Sequence, residues 1–533
     1  MPANERRLEL MTEQTPQQGR PVIVIQMMNQ YADLLSGVAK ELRERYGIGA
    51  ILVHRGANDL PNPKRYHFDK TAFDALIDIE PALTPRATEA LPSSAALAAE
   101  IATVEQRLSV KLLEAVRADR HLGHGFVVGA VYARSRYGVS ADFDQSLDIA
   151  LRLARTFEDL YRTHDVVAVI ASISSIYGNL MIGVAEGLGI PVRLPNLTAN
   201  TRLYWAVDRH YRPEGLEEAL VRALARPPVP VVAVSPNELG QTARAAGVIA
   251  NLPAHSSWRY LGRALYRATR RELGHRLKRR DQVYGKYLLG DLFANIIAVW
   301  RLRRAARGAT PVLPTLPVGL PYVFLPLSVE PESTLMAESP SCDNQLAFID
   351  WLAKAMPSGW RLLVKEHPAF TAPRPTGFWE RVRAYPNVMV LAPLERGEDA
   401  MRGAKALAIV RSSLGFQAAA LGIPVITAHP AYHGAGLPHV FTTESYREVE
   451  TALRQVAHDE LPPIATRIQA FQALHAVFDA VSVPIADANL IRGVAGGQAI
   501  DAAEIEQITD LLAGTLGLHQ LETAPARRLK GVG

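Results

Sequence analysis

The chain has 533 residues, of which 48% are apolar and 21% charged, a composition typical of folded proteins and not of disordered ones. Its length allows two or more domains of ordinary size. The single cysteine, Cys342, excludes an internal disulfide framework and a cysteine-rich zinc site. Residues 1–20 are polar and contain no signal-peptide core, and Asp291 interrupts the longest apolar window. We therefore expect a cytoplasmic protein.

The net charge of +5 is unevenly distributed. Between Trp258 and Arg307, fourteen Lys and Arg stand against three acids, a surplus of eleven, so the rest of the chain is net negative by six. Two helices are predicted in this basic segment, and their arginines would suit an anionic membrane surface or an acidic acceptor. A solvated helical face paired with acids elsewhere is the alternative. We expect no nucleic acid as partner, because no nucleic-acid-binding motif accompanies the arginines.

Short apolar runs alternate with helical patterns over 21–225, after a leader, 1–20, that we expect to be disordered. The predicted strands are 21–27, 48–55, 165–172 and 190–195. Helices are predicted up to Tyr46, within 81–118 and over 178–189. This pattern predicts a Rossmann-like domain over 21–225, to which we assign the acceptor.

Proline-rich runs frame the basic segment, so 226–320 is interpreted as a linker that carries it. Over 321–460 the alternation is regular, and the predicted strands are 322–329, 360–368, 387–393, 406–410 and 423–429. Asp343 is expected to cap a helix over 343–356. Helices are expected over 461–520 and a disordered tail over 521–533.

Alternating strands and helices predict parallel sheets covered on both faces. The fold class is therefore α/β, with two facing Rossmann-like domains and an inserted basic helical segment. Ligands of such sheets bind beyond the carboxyl ends of the strands. Residues at those ends are therefore the first candidates for a site.

The first candidate follows the strand RLLVK. A strand period of two places Lys365 and His367 on one face, and Pro368 ends the strand. A cation and an imidazole there would suit an anion, with His367 protonated. A surface strand end with a satisfied histidine is the alternative.

The second candidate follows the strand 406–410. Arg411, Ser412 and Ser413 enter a helix through Gly415, and serine hydroxyls with free amides at a helix N-terminus suit a phosphate. Ordinary helix capping is the alternative. Both candidates lie at strand ends of one predicted sheet, which favours a shared phosphate site.

These two stretches resemble a known family. K-E-H-P at 365–368, with S-S-x-G-F-x-A-A-x-L-G-I-P-V-I at 412–426, is similar to the bacterial capsule and surface polysaccharide biosynthesis family. That family includes Kdo transferases that use CMP-Kdo, and several bacterial sialyltransferases share its HP and SS elements. The resemblance is best over 322–440 and extends weakly to 117–125 and 202–208.

The resemblance implies a GT-B fold, a CMP-activated sugar donor, no obligatory metal and no other cofactor. It also implies that His367 contacts the donor phosphate and that Ser412 and Ser413 hold it. Position 417 departs from the pattern of many nucleotide-sugar enzymes, because Gln417 stands where a glutamate contacts the ribose. A neutral amide still accepts a hydroxyl proton, but it is also a donor.

A catalytic carboxylate is expected from the N-terminal domain, and Asp119, Glu186 and Asp208 are candidates in that order. The pair Asp142 and Asp144 matches a metal-binding D-x-D only superficially, since it lies at a predicted helix start where acids favour the helix dipole. We therefore expect no metal.

Two further groups of side chains have open interpretations. Tyr204 and Trp205 would stack on a sugar or, more simply, fill the core. His429 and His433 follow a strand and are expected to line the cleft without forming a metal site by themselves.

The sequence thus predicts a glycosyltransferase of surface polysaccharide biosynthesis. It would move a Kdo- or sialic-like sugar from a CMP donor to a glycan or lipid-linked acceptor, and the basic segment would place it on the inner membrane face. A CDP-glycerol-type transferase, a UDP-sugar epimerase and a non-catalytic polysaccharide-assembly module are the alternatives.

Overall fold

A computed structural model defines the architecture of most of the chain. The residues it describes are 20–28, 31–56, 60, 68–119, 122, 142–198, 202–225, 262, 265, 266, 269, 313, 315–328, 330, 333–339, 342–367, 374, 377–392, 395–410, 412, 414–429, 434, 436–485 and 500–518. The predicted site residues Pro368, Arg411 and Ser413 lie outside the described residues, as does His433. So do the tail, the leader except its last residue, and nearly all of the basic segment.

The N-terminal half forms a seven-stranded sheet in the order β13-β6-β5-β4-β1-β2-β3. Its strands are β1 Val22–Gln26, β2 Gly49–His54, β3 Ala75–Asp78, β4 Val166–Ile170, β5 Val192–Leu197, β6 Arg202–Ala206 and β13 Val483–Pro484. The strands from β3 to β5 are parallel, whereas β6 and β13 are added antiparallel at one edge. Every residue of β1 and β2 is buried, which agrees with their largely apolar sequences.

Helices cover both faces of this sheet. They are α1 Ala32–Tyr46, α2 Glu80–Leu83, α3 Ser94–Leu108, α4 Leu112–Ala118, α5 Phe143–Thr163, α6 Ile176–Gly187 and α7 Leu216–Leu224. Asp142 begins α5 with a reciprocal capping box to Gln145, so the acidic pair there marks the helix start that the sequence predicts.

The C-terminal half contains six strands, all parallel, in the order β12-β11-β10-β7-β8-β9. They are β7 Tyr322–Pro326, β8 Arg361–Lys365, β9 Val388–Leu391, β10 Ala406–Ile409, β11 Val425–Thr427 and β12 Val440–Thr442. The accompanying helices are α8 Ser333–Glu338, α9 Gln345–Ala355, α10 Phe378–Ala384, α11 Gly397–Arg402, α12 Leu414–Ala420 and α13 Tyr446–Ala457.

The chain then returns to the N-terminal half. Helix α14, Ile464–Ala480, contacts both α12 and α7. Strand β13 pairs with β6, and the last described helix, α15 at Ala502–Thr515, packs on α1. The domain limits inferred from the sequence stay predictions, but these contacts show that residues after 464 contribute to both halves.

One buried apolar cluster runs through both halves and includes Leu180 of α6, Leu220 of α7, Phe471 of α14 and Phe416 of α12. The two halves therefore touch along an apolar face. The predicted fold class, two Rossmann-like α/β domains in GT-B style, is confirmed by these two sheets.

Candidate functional site

Two of the predicted site segments follow strands β8 and β10, at the carboxyl end of the parallel C-terminal sheet. This end is called the strand edge below. Strand β8 ends at Lys365 and β10 ends at Ile409, with β7 paired between them in parallel. Because adjacent strands lie about 4.8 Å apart, the two strand ends are separated by about 10 Å. That span is comparable to the length of a small phosphorylated ligand.

The two strand ends also share a face of the sheet. Leu363 of β8 belongs to the buried cluster that holds Leu407 and Phe416, which is the side covered by α12. Val364 belongs to the cluster on the opposite side. Since side chains alternate along a strand, Lys365 lies on the α12 side and Glu366 on the other.

Lys365 is a buried cation, with 4% of its surface exposed. Its Nζ donates a hydrogen bond of 3.4 Å to the carbonyl of Glu366. Burial lowers the pKa of Lys365 to about 8, against the opposing effect of Glu366 and Glu395. An anion placed on this side of the strand end would raise this pKa again and stabilise the buried charge.

His367 is half-buried immediately after β8, and its backbone N–H donates to Oε1 of Glu366 at 2.9 Å. Burial lowers the pKa of its imidazole, and the neighbouring cations Arg374 and Lys365 act in the same direction, whereas Glu366 raises it. The free protein therefore favours the neutral imidazole more than an exposed histidine would, and the protonated His367 expected beside a phosphate stays a prediction. A phosphate beside it would raise its pKa.

The second segment begins α12. The half-buried Ser412 accepts a hydrogen bond from the backbone N–H of Leu414 through its Oγ at 3.2 Å. Gly415 and Gln417 are buried within α12. Gln417 lies one turn into the helix, so its side chain starts close to the same strand edge.

Two contacts between the halves lie beside this edge. The guanidinium of Arg117, near the end of α4, lies 3.6 Å from a carboxylate oxygen of Asp343. The rings of His210 and His429 are 5.4 Å apart between centroids. His429 follows β11, and Asp343 lies in the connection between β7 and β8, just before α9. Strands β11 and β7 are the two neighbours of β10 in the sheet, so the segments that follow them contact the N-terminal half on both sides of the end of β10. The expectation that His429 lines the cleft agrees with this contact.

Asp343 was expected to cap a helix, and that prediction is wrong. The cap is Asn344, whose side chain accepts the N–H of Leu346, and the helix begins at Gln345. Asp343 is thereby available to Arg117. Burial raises the pKa of Asp343 to about 6, with Glu330 adding to the effect and Arg117 opposing it.

The three candidate carboxylates have different surroundings. Asp119 is 1% exposed, and its two oxygens accept backbone N–H groups from Leu122 at 3.1 Å and from Ile176, the first residue of α6, at 3.0 Å. Glu186 is exposed and pairs with Arg209, and Asp208 pairs with Arg212. Of the three candidates, Asp119 is the one that is fully buried, and it lies two positions after the interface residue Arg117.

The aromatic pair is part of the core. Tyr204 and Trp205 are buried in β6, which confirms the simpler of the two interpretations. Among the described residues there is no group of three or more His, Cys, Asp or Glu that could hold a metal ion. Within that same part of the chain, no helix has the length and apolarity needed to cross a bilayer.

Sequence reasoning missed a polar network behind the strand edge. Arg374, Glu330 and Gln345 are buried there, beside Ser328 and Glu366. They come from separate segments with no shared motif, so no spacing in the sequence indicates the network.

No protein-family model matches the chain, and no curated protein matches it. Solved structures do align with it. The complex of S. aureus MnaA with UDP is 7% identical over 94% of this chain and 97% of that chain, with a TM-score of 0.26. KpsC of Thermosulfurimonas dismutans, a β Kdo 2,7 transferase, is 11% identical over 56% of this chain and 80% of that chain, with a TM-score of 0.25. The calicheamicin glycosyltransferase CalG4 is 13% identical over 96% of this chain and 100% of that chain, with a TM-score of 0.24.

Kdo transferases of the family that the motifs resemble are therefore among the proteins whose structures align with this chain. At these identities and TM-scores the alignments support no conclusion about fold, donor or reaction. The fold class itself rests on the chain's own two sheets.

Proposed function

We propose that the protein is a glycosyltransferase that moves a Kdo- or sialic-like sugar from a CMP-activated donor to a glycan or lipid-linked acceptor. The observation that carries the proposal is the shared strand edge. Buried Lys365 and the start of α12 lie on one face and at one edge of the sheet, beside the N-terminal half. The motif resemblance of 365–368 and 412–426 supports CMP as the nucleotide.

The proposed donor site would hold one phosphate. Lys365 and His367 would supply charge and a hydrogen bond from the β8 end, and Ser412, Ser413 and Arg411 would do so from the β10 end. Pro368 would fix the chain direction after His367, Gly415 would allow close approach of the ligand, and Gln417 would accept a ribose hydroxyl. Charge that develops on the departing CMP would be stabilised by groups already in place.

In the transfer step, the acceptor oxygen bonds to the anomeric carbon, and the bond from that carbon to the phosphate oxygen breaks with its electrons on CMP. The acceptor proton passes to a base, for which Asp119 stays our prediction. Asp119 would have to give up at least one of its two backbone hydrogen bonds in that role, or act by fixing α6 beside the acceptor.

Thermal unfolding with CMP, CDP, UDP and GDP tests the donor. Only a ligand of the folded state raises the melting temperature, and a hundredfold excess over Kd adds about 2.7 kcal/mol of stability. We expect CMP alone to act. Selective stabilisation by UDP would instead favour a UDP-sugar epimerase, and no stabilisation would favour a non-catalytic module. A CDP-glycerol-type transferase also releases CMP, so stronger stabilisation by CDP than by CMP is the result that would favour it.

His367→Ala tests the site itself. We expect it to weaken CMP binding about tenfold without unfolding the protein, which removes about half of the stabilisation seen at a hundredfold excess over the wild-type Kd. The matched control is His458→Ala, because His458 is exposed just after α13. Equal CMP stabilisation in the two variants would remove His367 from the site.

We also propose that the basic segment 258–307 brings the protein to an anionic inner membrane face or holds an anionic acceptor. The support is the surplus of eleven positive charges in the sequence. Sedimentation with vesicles of anionic lipid should recover the protein at low salt and lose it at high salt, because screening weakens such attraction. Equal recovery with neutral vesicles would contradict the proposal.

A further inference from the structure

A buried charge network lies on the face of the C-terminal sheet opposite to Lys365. Its centre is Arg374, whose side chain is 3% exposed. The guanidinium donates to both carboxylate oxygens of Glu366, from Nη2 at 2.6 Å and from Nε at 3.1 Å. Its Nη1 lies 3.2 Å from Oε2 of Glu330, and Nη2 also donates to the carbonyl of Ser328 at 2.7 Å.

The network ties three segments together. Ser328 and Glu330 follow β7, Glu366 follows β8, and Gln345 begins α9. The side chain of Gln345 accepts the N–H of Ser328 at 2.7 Å and donates to Glu330 at 2.7 Å. Arg374 is also stacked over the ring of Phe378, 5.1 Å from its centroid.

Glu366 connects the side chain of Arg374 to the backbone of His367. The same oxygen of Glu366 that accepts from Arg374 also accepts the backbone N–H of His367 at 2.9 Å. The carboxylate thus fixes the backbone at the point where β8 has ended and ladder hydrogen bonds no longer do so. A bidentate fork is needed for this, since it sets the plane of the carboxylate as well as its position.

A buried ion network is weak support for stability, because apolar replacements of similar volume are often as stable. Two carboxylates and one guanidinium in the core are therefore better explained by what they orient. We propose that Arg374 is a positioning residue that fixes the backbone of His367 through Glu366, and so holds the imidazole towards the donor phosphate. The ligand part of this inference rests on the proposed function, whereas the effect on the His367 backbone does not.

Hydrogen exchange in the free protein tests the backbone part. Arg374→Lys keeps the charge but loses the fork, and we expect the protected amide of His367 to exchange about tenfold faster in the peptide 361–367. Arg396→Lys is the matched control, because Arg396 is an exposed arginine that pairs with Glu398, and it should leave this peptide unchanged. Unchanged exchange in Arg374→Lys would overturn the proposal, whether or not a nucleotide binds.

If Arg374→Lys does not fold, Glu366→Ala takes its place, because it removes the carboxylate that accepts from both Arg374 and the backbone N–H of His367. It must then produce the same faster exchange at His367, and wild-type exchange in a folded Glu366→Ala variant overturns the proposal equally.

A double-mutant cycle with CMP as the probe tests the ligand part. We expect Arg374→Lys and His367→Ala each to weaken CMP binding about tenfold, and the double variant to lose no more than His367→Ala alone, since one residue acts through the other. Additive losses would show that Arg374 supports the fold only, and would overturn the proposal. If the wild-type protein binds no CMP but the exchange result holds, the donor assignment fails and the positioning role stands.

Discussion

Lys365 lowers the stability of the free protein, because its charged ammonium group is buried at the carboxyl end of β8, where an apolar side chain would fit. Its pKa of about 8 in the folded state lies below the usual 10.5. The unfolded chain therefore binds the proton more tightly, so stability rises with pH between about 8 and 10.5, and the full penalty applies below pH 8. A shift of that size corresponds to about 3 kcal/mol.

We therefore expect Lys365→Met to be more stable than the wild-type protein at pH 7, by about 2–3 kcal/mol, and to lose the advantage above pH 10.5. The same variant should lose its stabilisation by CMP. Urea unfolding at pH 7 and at high pH measures the first effect. Lys354→Met is the control, since the side chain of Lys354 is 60% exposed on α9; a similar gain there would mean that burial is not the cause.

At the scale of single residues, the sequence predicted which positions stand at the strand ends but not their ionisation. Strand alternation correctly placed Lys365 on one face, whereas the lowered pKa of His367 comes first from its burial, with a further contribution from Arg374, which belongs to a segment outside any motif. Charge partners brought together by the fold cannot be obtained from spacing along the chain.

Asp119 supports the N-terminus of helix α6 together with the N-cap Ser175, since its carboxylate accepts the N–H of Ile176 with one oxygen and that of Leu122 with the other. Asp119→Asn leaves one acceptor and turns the other into a donor. One buried N–H then has no acceptor, and we expect a loss of about 1–3 kcal/mol in the free energy of unfolding.

Asp142→Asn is the matched control for this change. Asp142 caps α5 with one oxygen, to the N–H of Gln145, and asparagine caps as well as aspartate. Chemical denaturation of both variants measures the difference. An Asp119→Asn protein as stable as Asp142→Asn, yet inactive in transfer, would favour the base over the cap.

At the scale of elements, the long apolar runs were predicted correctly, and β1, β2, β4, β5 and all six strands of the second sheet except β12 correspond to predicted strands. Three of the four missed strands, β3, β12 and β13, lie at an edge of their sheet. Strand β6 was not predicted, although the expectation that Tyr204 and Trp205 fill the core is confirmed. Strand β13 pairs with β6, although the paired residues Val483 and Leu203 are 280 positions apart in sequence, which no local pattern reveals.

At the scale of the whole molecule, the last described helix, α15, completes the apolar core on one face of the N-terminal sheet. Ile508 of α15 is buried in the cluster that contains Leu34 of α1 and Trp205 of β6, and the Trp205 Nε1–H donates to the carbonyl of Ile508 at 3.1 Å. The N-terminal domain is therefore incomplete without a helix that follows the C-terminal domain in sequence.

Ile508→Ala should accordingly destabilise the N-terminal domain by about 2–5 kcal/mol, since it leaves a cavity in that core. Ile464→Ala is the control, because Ile464 is exposed at the start of α14. Urea unfolding of the two variants, followed by circular dichroism, measures the effect. Equal stability of the two variants would mean that α15 is not part of that core.

The contact between the halves at Asp343 should respond to pH. The groups that face this carboxylate are Arg117 of α4 and Glu330 after β7, with the backbone N–H of Asn344. Its pKa of about 6 in the folded state exceeds the usual 3.8, so the folded state binds the proton more tightly. The stability that Asp343 contributes is therefore full below about pH 4 and is lost as the pH rises through 6.

Relative to the wild-type protein, Asp343→Asn should gain nothing near pH 4 and up to about 3 kcal/mol above pH 6, because the amide avoids burying a charge. Arg117→Met removes the cation that lowers the pKa of Asp343, so in that variant the pKa should rise further and the loss of stability should extend to higher pH. Urea unfolding of the three proteins from pH 4 to pH 8 gives both differences, in which other titrating groups cancel. A constant difference between wild type and Asp343→Asn over this range would show that Asp343 stays ionised throughout, and that the two halves are joined there by an ordinary ion pair.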